Sequence, residues 1–327
     1  MIRYANIEDI DRIMDFIGLY WRKNHIMSRD RKLFEFQHLW GDKVSFVIAE
    51  ENEQINGILG FIPYSSDNCD ITLAIWKTLK TEDTMLGVRI LQFLKADTHI
   101  KSISAPGINP KTRGVYQFLG HYTGKMKHWY RLNDSINEYH IAKVNYNRSE
   151  IGNVSLEARV VVTNLDDFVK AQNEFGVSSC LRVEGQLEKS LCFVKRRYYE
   201  HPSYNYIKYG IEQDGKKLFV VFRIQHCCNK AVLRLIDCLG DHFLIKYLMP
   251  QIDDWLKQWN CEYIDCYETG VQDNYFVEGG WKEISETEDI IPEYFYPFEQ
   301  RNIDIYYMST LPDVILFKGD GDMDRPN

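Results

Sequence analysis

One order of elements runs through residues 1–132 and returns in the second half, and this doubling limits the possible folds more than any single motif. The order is strand, helix, hairpin, strand, helix, strand, helix. In the first half, residues 2–5 read as a strand. Residues 6–17 then carry apolar side chains at helical spacing, with Asn6 and acidic residues as start signals. A polar loop over 20–30 and a second helix over 31–40 follow, then a hairpin of strands 44–50 and 55–63 turned by 51–54. The next strand is 69–76, then a helix over 85–96, a strand over 101–105, a helix holding Tyr116 and Gly120, and a strand over 123–132. The second half offers a strand at 158–163 and a helix at 165–174. A hairpin of 206–212 and 217–225 turns at Asp214-Gly215. A strand at 231–239, an amphipathic helix at 242–259, a strand at 262–267 and an aromatic helix at 275–281 complete it. The fold predicted is α+β: two tandem domains, each a mixed, mostly antiparallel sheet flanked by helices. The domains are set at 1–132 and 154–310, with a polar linker at 133–153 and a C-terminal tail at 311–327 that has no core pattern.

Composition narrows the function. With 327 residues the chain can bury two cores, and 45% hydrophobic with 26% charged residues is a globular balance. No apolar run approaches the ~18–20 residues that span a bilayer, and the N-terminus enters a strand at once, so a cytoplasmic protein with no membrane partner is expected. A net charge of −8 argues against a nucleic-acid backbone as partner. The basic run Lys195-Arg196-Arg197 reads as a solvated strand end. The eight cysteines include no C-x-x-C and sit mostly among apolar strand residues, as buried free thiols do. The acidic tail Asp320, Asp322, Asp324 lacks the glutamate that closes a calcium loop, so no metal is expected.

The stretch from Asp70 to Arg131 carries the chemistry. A strand feeding a helix start with Gly87 is a place where free N–H groups can hold a phosphate, although one glycine equally suits a plain strand–helix connection. Downstream stand Asn109 and the spacing Tyr116-x-x-x-Gly120. These features, with the order of elements, resemble the GNAT (Gcn5-related) acyltransferases. Members hold acyl-coenzyme A by a strand, a Q/R-x-x-G-x-G/A loop and the following helix start. Here the loop reads Glu82-Asp83-Thr84-Met85-Leu86-Gly87, so only the last glycine matches. The resemblance implies acyl-CoA as co-substrate, held at Ile75, Trp76, Met85, Leu86, Gly87, Val88 and Asn109. It also implies Tyr116 as the acid that protonates the leaving thiolate. The second half shares only the order of elements.

A narrower resemblance is to tandem GNAT proteins that acylate nucleotide-linked deoxyamino sugars. It rests on residues 20–30 and on the tail from Gly319 to Asn327. It implies a dTDP-3-amino-3,6-dideoxyhexose as acceptor, an acetyl or 3-hydroxybutyryl donor, and a place in surface-polysaccharide synthesis. Acyl transfer needs a neutral amine, a donor for the oxyanion and a proton for the thiolate. His25, Asp70 and Glu268 are candidate bases, His25 first because it titrates near neutrality and borders the acceptor in related proteins. Asn24, Ser28 and Arg29 offer polar groups to the acceptor, and Arg29 suits a phosphate; Ser28 equally suits capping of the helix over 31–40. Arg223, Arg234 and Tyr267, on strands of the second half, are candidates to line the acceptor cleft facing the first domain, and each equally suits a plain sheet surface. Aminoacyl or peptide N-acyl transfer, and a non-catalytic binding protein with a degenerate loop, stay open beside the sugar reading.

Overall fold

The computed structural model describes residues 1–65, 67, 70–144, 160–181 and 187–326. Cys69, the linker from residue 145 on, and the first residues of the strand expected at 158–163 lie outside these. The first part of the chain forms β1 (Ile2–Ala5), β2 (Leu39–Trp40), β3 (Lys43–Glu51), β4 (Gln54–Pro63), β5 (Asp70–Thr78), β6 (Ser102–Ile108), β7 (Tyr122–Lys125) and β8 (Lys127–Leu132). The rest forms β9 (Val161–Asn164), β10 (Ile207–Gln213), β11 (Lys216–Cys227), β12 (Lys230–Gly240), β13 (Cys261–Thr269), β14 (Lys282–Glu283), β15 (Tyr306–Ser309) and β16 (Leu316–Phe317).

Among the described residues these strands make two eight-stranded mixed sheets. One runs β1-β3-β4-β5-β6-β15-β7 with β2 beside β3; the other runs β9-β10-β11-β12-β13-β8-β14 with β16 beside β13. In each, four strands pair antiparallel, the fifth joins in parallel, and two more close the edge antiparallel. The sixth position is exchanged. β8, which the alternation in 123–132 attached to the first unit, lies in the second sheet between β13 and β14. β15, from the other end of the chain, lies in the first sheet between β6 and β7. The crossing is made at Met126, which is buried and whose N–H donates to Ile305 C=O at 2.8 Å, just before β15.

Local chemistry explains most elements. Three tight hairpins turn through residues with positive φ, Asn52 (49°) and Glu53 (64°), Asp214 (51°) and Gly215 (78°), and Cys228 (52°) and Asn229 (60°), the conformation that matches strand twist. Helix Leu86–Lys95 buries Leu86, Ile90, Leu91 and Leu94 on one stripe. Successive residues of β3 serve opposite cores: Phe46 and Ile48 pack under helices Ile10–Phe16 and Arg31–His38, while Val47 and Ala49 face helix Leu86–Lys95. The single helix expected over 242–259 is two pieces, a 3-10 turn His242–Tyr247 and an α-helix Met249–Gln258, because Pro250 has no N–H to donate back and is accepted only in a first turn. Lys195-Arg196-Arg197 forms a helical turn, not a strand end. Arg197 is buried, and the Arg196 guanidinium donates to carbonyls of Glu35, Phe36 and Leu39 on the first domain. The seven cysteines among the described residues are unbonded. No helix among them is long and apolar enough to cross a membrane.

The tail expected to lack a core pattern is buried instead. Lys318, Asp320 and Asp324 are each at most 3% exposed. Asp320 accepts from Tyr64 Oη at 2.6 Å and pairs with Lys189 at 2.8 Å. Asp324 pairs with Arg223 at 2.5 Å and accepts from Tyr206 Oη at 2.9 Å. Charges at this depth are tolerated because every one of these carboxylates meets a cation and a hydroxyl.

Candidate functional site

The first sheet opens between β5 and β6. The two strands pair only at Asp70–Ser102, Ile71–Ile103 and Thr72–Ser104, and then run on apart. At the same level β5 is bulged against β4. Leu59 opposes Trp76 and Phe61 opposes Leu73, so Ala74 and Ile75 together face Gly60. A bulge of this kind bends a strand and re-aims its backbone groups. The Ile75 side chain is buried under the N-terminal helices, so what it offers the cleft is its backbone. Trp76 is half-buried and lies over the next helix: a Cβ on Gly87 would stand 3.4 Å from its ring. The same ring meets Tyr116 with centroids 5.6 Å apart.

The start of helix Leu86–Lys95 is partly filled by its own acid. Met85 N–H donates to Asp83 Oδ1 at 3.1 Å and Leu86 N–H to the Asp83 carbonyl at 3.2 Å, while Arg89 pairs with the Asp83 carboxylate. Of the four amides expected to cradle phosphates, those of Gly87 and Val88 have no acceptor among the described residues. Asn109 is exposed and caps the turn Pro110–Thr112, accepting from Lys111 N–H at 3.0 Å.

Tyr116 is 3% exposed on helix Arg113–Phe118, between Trp76 and His121. Its hydroxyl makes no hydrogen bond to a described residue. Burial raises the phenol well above its usual range, so it keeps its proton at neutral pH. That is the state a proton donor needs.

Across the sheet, the loop over 20–30 contains a short helix, Ile26–Arg29, capped by His25. His25 Nδ1 accepts from Met27 N–H at 3.3 Å, which leaves the proton of the neutral ring on Nε2. That Nε2 is buried without a partner among the described residues. Burial and the Arg325 guanidinium push the imidazole down to about 4, against Asp322. At neutral pH His25 is therefore an N–H donor, a different role from the base expected. The other two candidate bases are engaged elsewhere. Asp70 accepts from Ser102 Oγ at 2.6 Å and Glu188 N–H at 2.9 Å. Glu268 lies in the second sheet, holding Trp129 Nε1 at 2.8 Å and Val271 N–H at 3.1 Å.

A cavity of about 970 Å³ opens between the domains, from Pro106 and Gly107 of β6 to the C-terminal segment. Its cations are Arg22, Arg223, Arg234, Lys318 and Arg325. Arg223 lies over the Tyr204 ring at 4.2 Å, and Arg234 pairs with Asp265 at 3.1 Å and Glu293 at 3.0 Å. Asn24, Ser28 and Arg29 are outside this lining. Asn24 and Arg29 are exposed, and Ser28 donates to His25 C=O at 2.7 Å. Helix Arg31–His38 is capped by Asp30, not Ser28. Tyr267 is also outside the lining, stacked on His128 at 3.9 Å with its hydroxyl on Ile303 C=O. Arg22, Tyr204 and Lys318 are among the lining residues that sequence reasoning did not pick out. Only Arg22 carried a signal, as a cation in the polar loop.

No family model and no curated relative matches the sequence. Solved structures do. A GCN5-related N-acetyltransferase from Anabaena variabilis aligns with a TM-score of 0.54 at 12% identity, over 94% of this chain and 72% of that one. A conserved protein of unknown function from Enterococcus faecalis V583, described as a probable N-acyltransferase, aligns at 0.58 and 10% identity, over 94% and 71%. The fold is a tandem GNAT fold.

Proposed function

We propose that this chain is an acyl-CoA-dependent N-acyltransferase whose acceptor is a nucleotide-linked deoxyamino sugar. The supporting observation is the parting of β5 from β6 beyond Thr72–Ser104 with a bulge at Ala74–Ile75. The donor lies along the open edge of β5, its phosphates on the Gly87 and Val88 amides. A backbone N–H of the bulge stabilises the oxyanion as the amine adds to the thioester carbon. When the C–S bond breaks, the thiolate takes the Tyr116 proton, and the proton shed by the amine restores the phenol through water. His25 donates from Nε2 to the acceptor. The sugar nucleotide enters from the interdomain cavity, where the exposed Arg22 meets the diphosphate and Arg223, held by Asp324, adds to the wall. The sugar class, the acetyl or 3-hydroxybutyryl donor and surface-polysaccharide synthesis rest on the resemblance of residues 20–30 and of the tail.

A screen of dTDP- and UDP-amino sugars with acetyl-CoA and 3-hydroxybutyryl-CoA, read by release of free thiol, tests this. Turnover with a dTDP-3-amino sugar is expected. The Asp83 carboxylate at the helix start favours a second reading, a binding protein that takes no CoA. Calorimetry in which no CoA ester binds would remove the enzyme readings together.

A further inference from the structure

The two sheets are built alike until their parallel strands part, and there they differ. In the second sheet β12 and β13 pair from Ala231–Cys261 to Leu235–Cys266, then continue apart to Gly240 and Thr269. The wedge between them is filled by the chain itself. Leu316 and Phe317 pair antiparallel with Thr269 and Glu268, and Gly319 N–H donates to Ile236 C=O at 2.7 Å on the opposite lip. One short segment thus bonds both sides of the cleft.

Two glycines fix it there. A Cβ on Gly319 would stand 2.6 Å from Tyr198 Oη and 2.9 Å from Ile236 O. A Cβ on Gly270, where φ is +89°, would stand 2.4 Å from Val314 O. Asp320 closes the turn by accepting Phe317 N–H at 2.7 Å. Leu316 and Phe317 are at most 1% exposed. In the first sheet the residues that follow the segment stand at the start of the wedge, with Gly321 near Pro106 and Leu73 and Met323 beside Gly107. Among the described residues no strand is inserted between the outer parts of β5 and β6.

We propose that segment 314–319 is an intramolecular ligand of the second cleft, taking the place that the donor takes in the first, so that each chain holds one acyl donor. This rests on the donor reading of the first cleft. The chemistry matches, because the pantetheine arm of CoA carries two amides that bond strand edges as a peptide does. The peptide has the advantage of being covalently attached, so its effective concentration is high. Displacing it would strip buried backbone groups of their partners and bare Leu316 and Phe317.

Titration of the full chain with acetyl-CoA by calorimetry is expected to give one site. Gly87→Glu, which sets a carboxylate at the first helix start, is expected to abolish that binding. Two sites, or half of the binding surviving Gly87→Glu, would overturn the proposal while leaving the donor reading in place. No binding to the unaltered chain would overturn both. Hydrogen exchange gives a separate readout. The Phe317 and Gly319 amides are expected to stay equally protected with and without saturating acetyl-CoA, and a rise in their exchange on adding it would mean that the donor displaces the segment.

Discussion

Removing one carboxylate from the C-terminal segment should cost a large share of the stability of this chain. Asp324 is 1% exposed and receives two bonds from Arg223, at 2.5 and 3.2 Å, and one from Tyr206 Oη at 2.9 Å. In Asp324→Ala the Arg223 guanidinium, itself 7% exposed, stays buried without its counter-charge. Breaking a buried pair from one side costs about 3–5 kcal/mol, and an orphaned hydroxyl about 1–3 more. The coupling of these groups makes about 4 kcal/mol a reasonable sum, against native stabilities of about 5–15 kcal/mol. Urea denaturation of both proteins at pH 7 measures it. The double variant Arg223→Met with Asp324→Leu should recover most of the loss, since it leaves no charge behind. The sign with pH follows from the carboxylate. Burial alone would raise it, but Arg223 overrides burial and holds it well below the usual range. Its contribution is present above the ordinary carboxylate value and disappears as pH falls through the folded one, so the two proteins should only begin to converge once pH falls below about 4, and should still differ at pH 4 itself. A loss under about 1 kcal/mol at pH 7, or a double variant no better than the single, would refute the reasoning.

Three further outcomes are expected. Tyr116→Phe should lower turnover about 10²-fold or more with the KM for acyl-CoA little changed; unchanged turnover with chemistry rate-limiting would exclude the phenol as acid. Because His25 titrates at about 4, His25→Asn should leave any ascending limb of the pH–rate profile near pH 6–7 in place and raise the acceptor KM instead; a limb that vanishes with the imidazole would restore it as the base. Glu268 is pushed up to about 7 by burial, so the folded chain holds a proton that the unfolded chain releases between its ordinary value of 4.5 and 7. Stability at this site should fall as pH rises across that window, by about 3 kcal/mol at 1.4 kcal/mol per unit, and Glu268→Gln should remove the slope. Unfolding midpoints collected from pH 4 to 8 decide it, and a slope that persists in the variant would sink it.

What was legible in the sequence is what local chemistry decides. Asn52-Glu53 and Asp214-Gly215 announce their hairpins through the backbone they tolerate, and the stripe Leu86, Ile90, Leu91, Leu94 announces its helix. The α+β class and the two units follow from the order of such elements. The alternation through 127–132 says strand but cannot say which sheet, because period two fixes faces and not neighbours. The tail misled for a related reason. Gly319-Asp320-Gly321-Asp322 has the composition of a solvated turn, and its burial depends on Lys189, Tyr64 and Arg223, more than 90 residues away in the sequence. His25 was picked out as a titrating loop residue, but its tautomer depends on one backbone bond to Met27 that no spacing shows.

The exchanged strands also govern how the chain can be made. β6 and β7 leave the ribosome early, but β15, the strand that belongs between them, is synthesised about 180 residues later. At about 5–20 residues per second that is roughly ten to forty seconds during which the first sheet has a gap at its sixth position. An open strand edge of that kind invites pairing with a neighbouring nascent chain. The first unit therefore waits, incomplete, for the second, and a stall in translation anywhere between β7 and β15 leaves it unfinished and sticky.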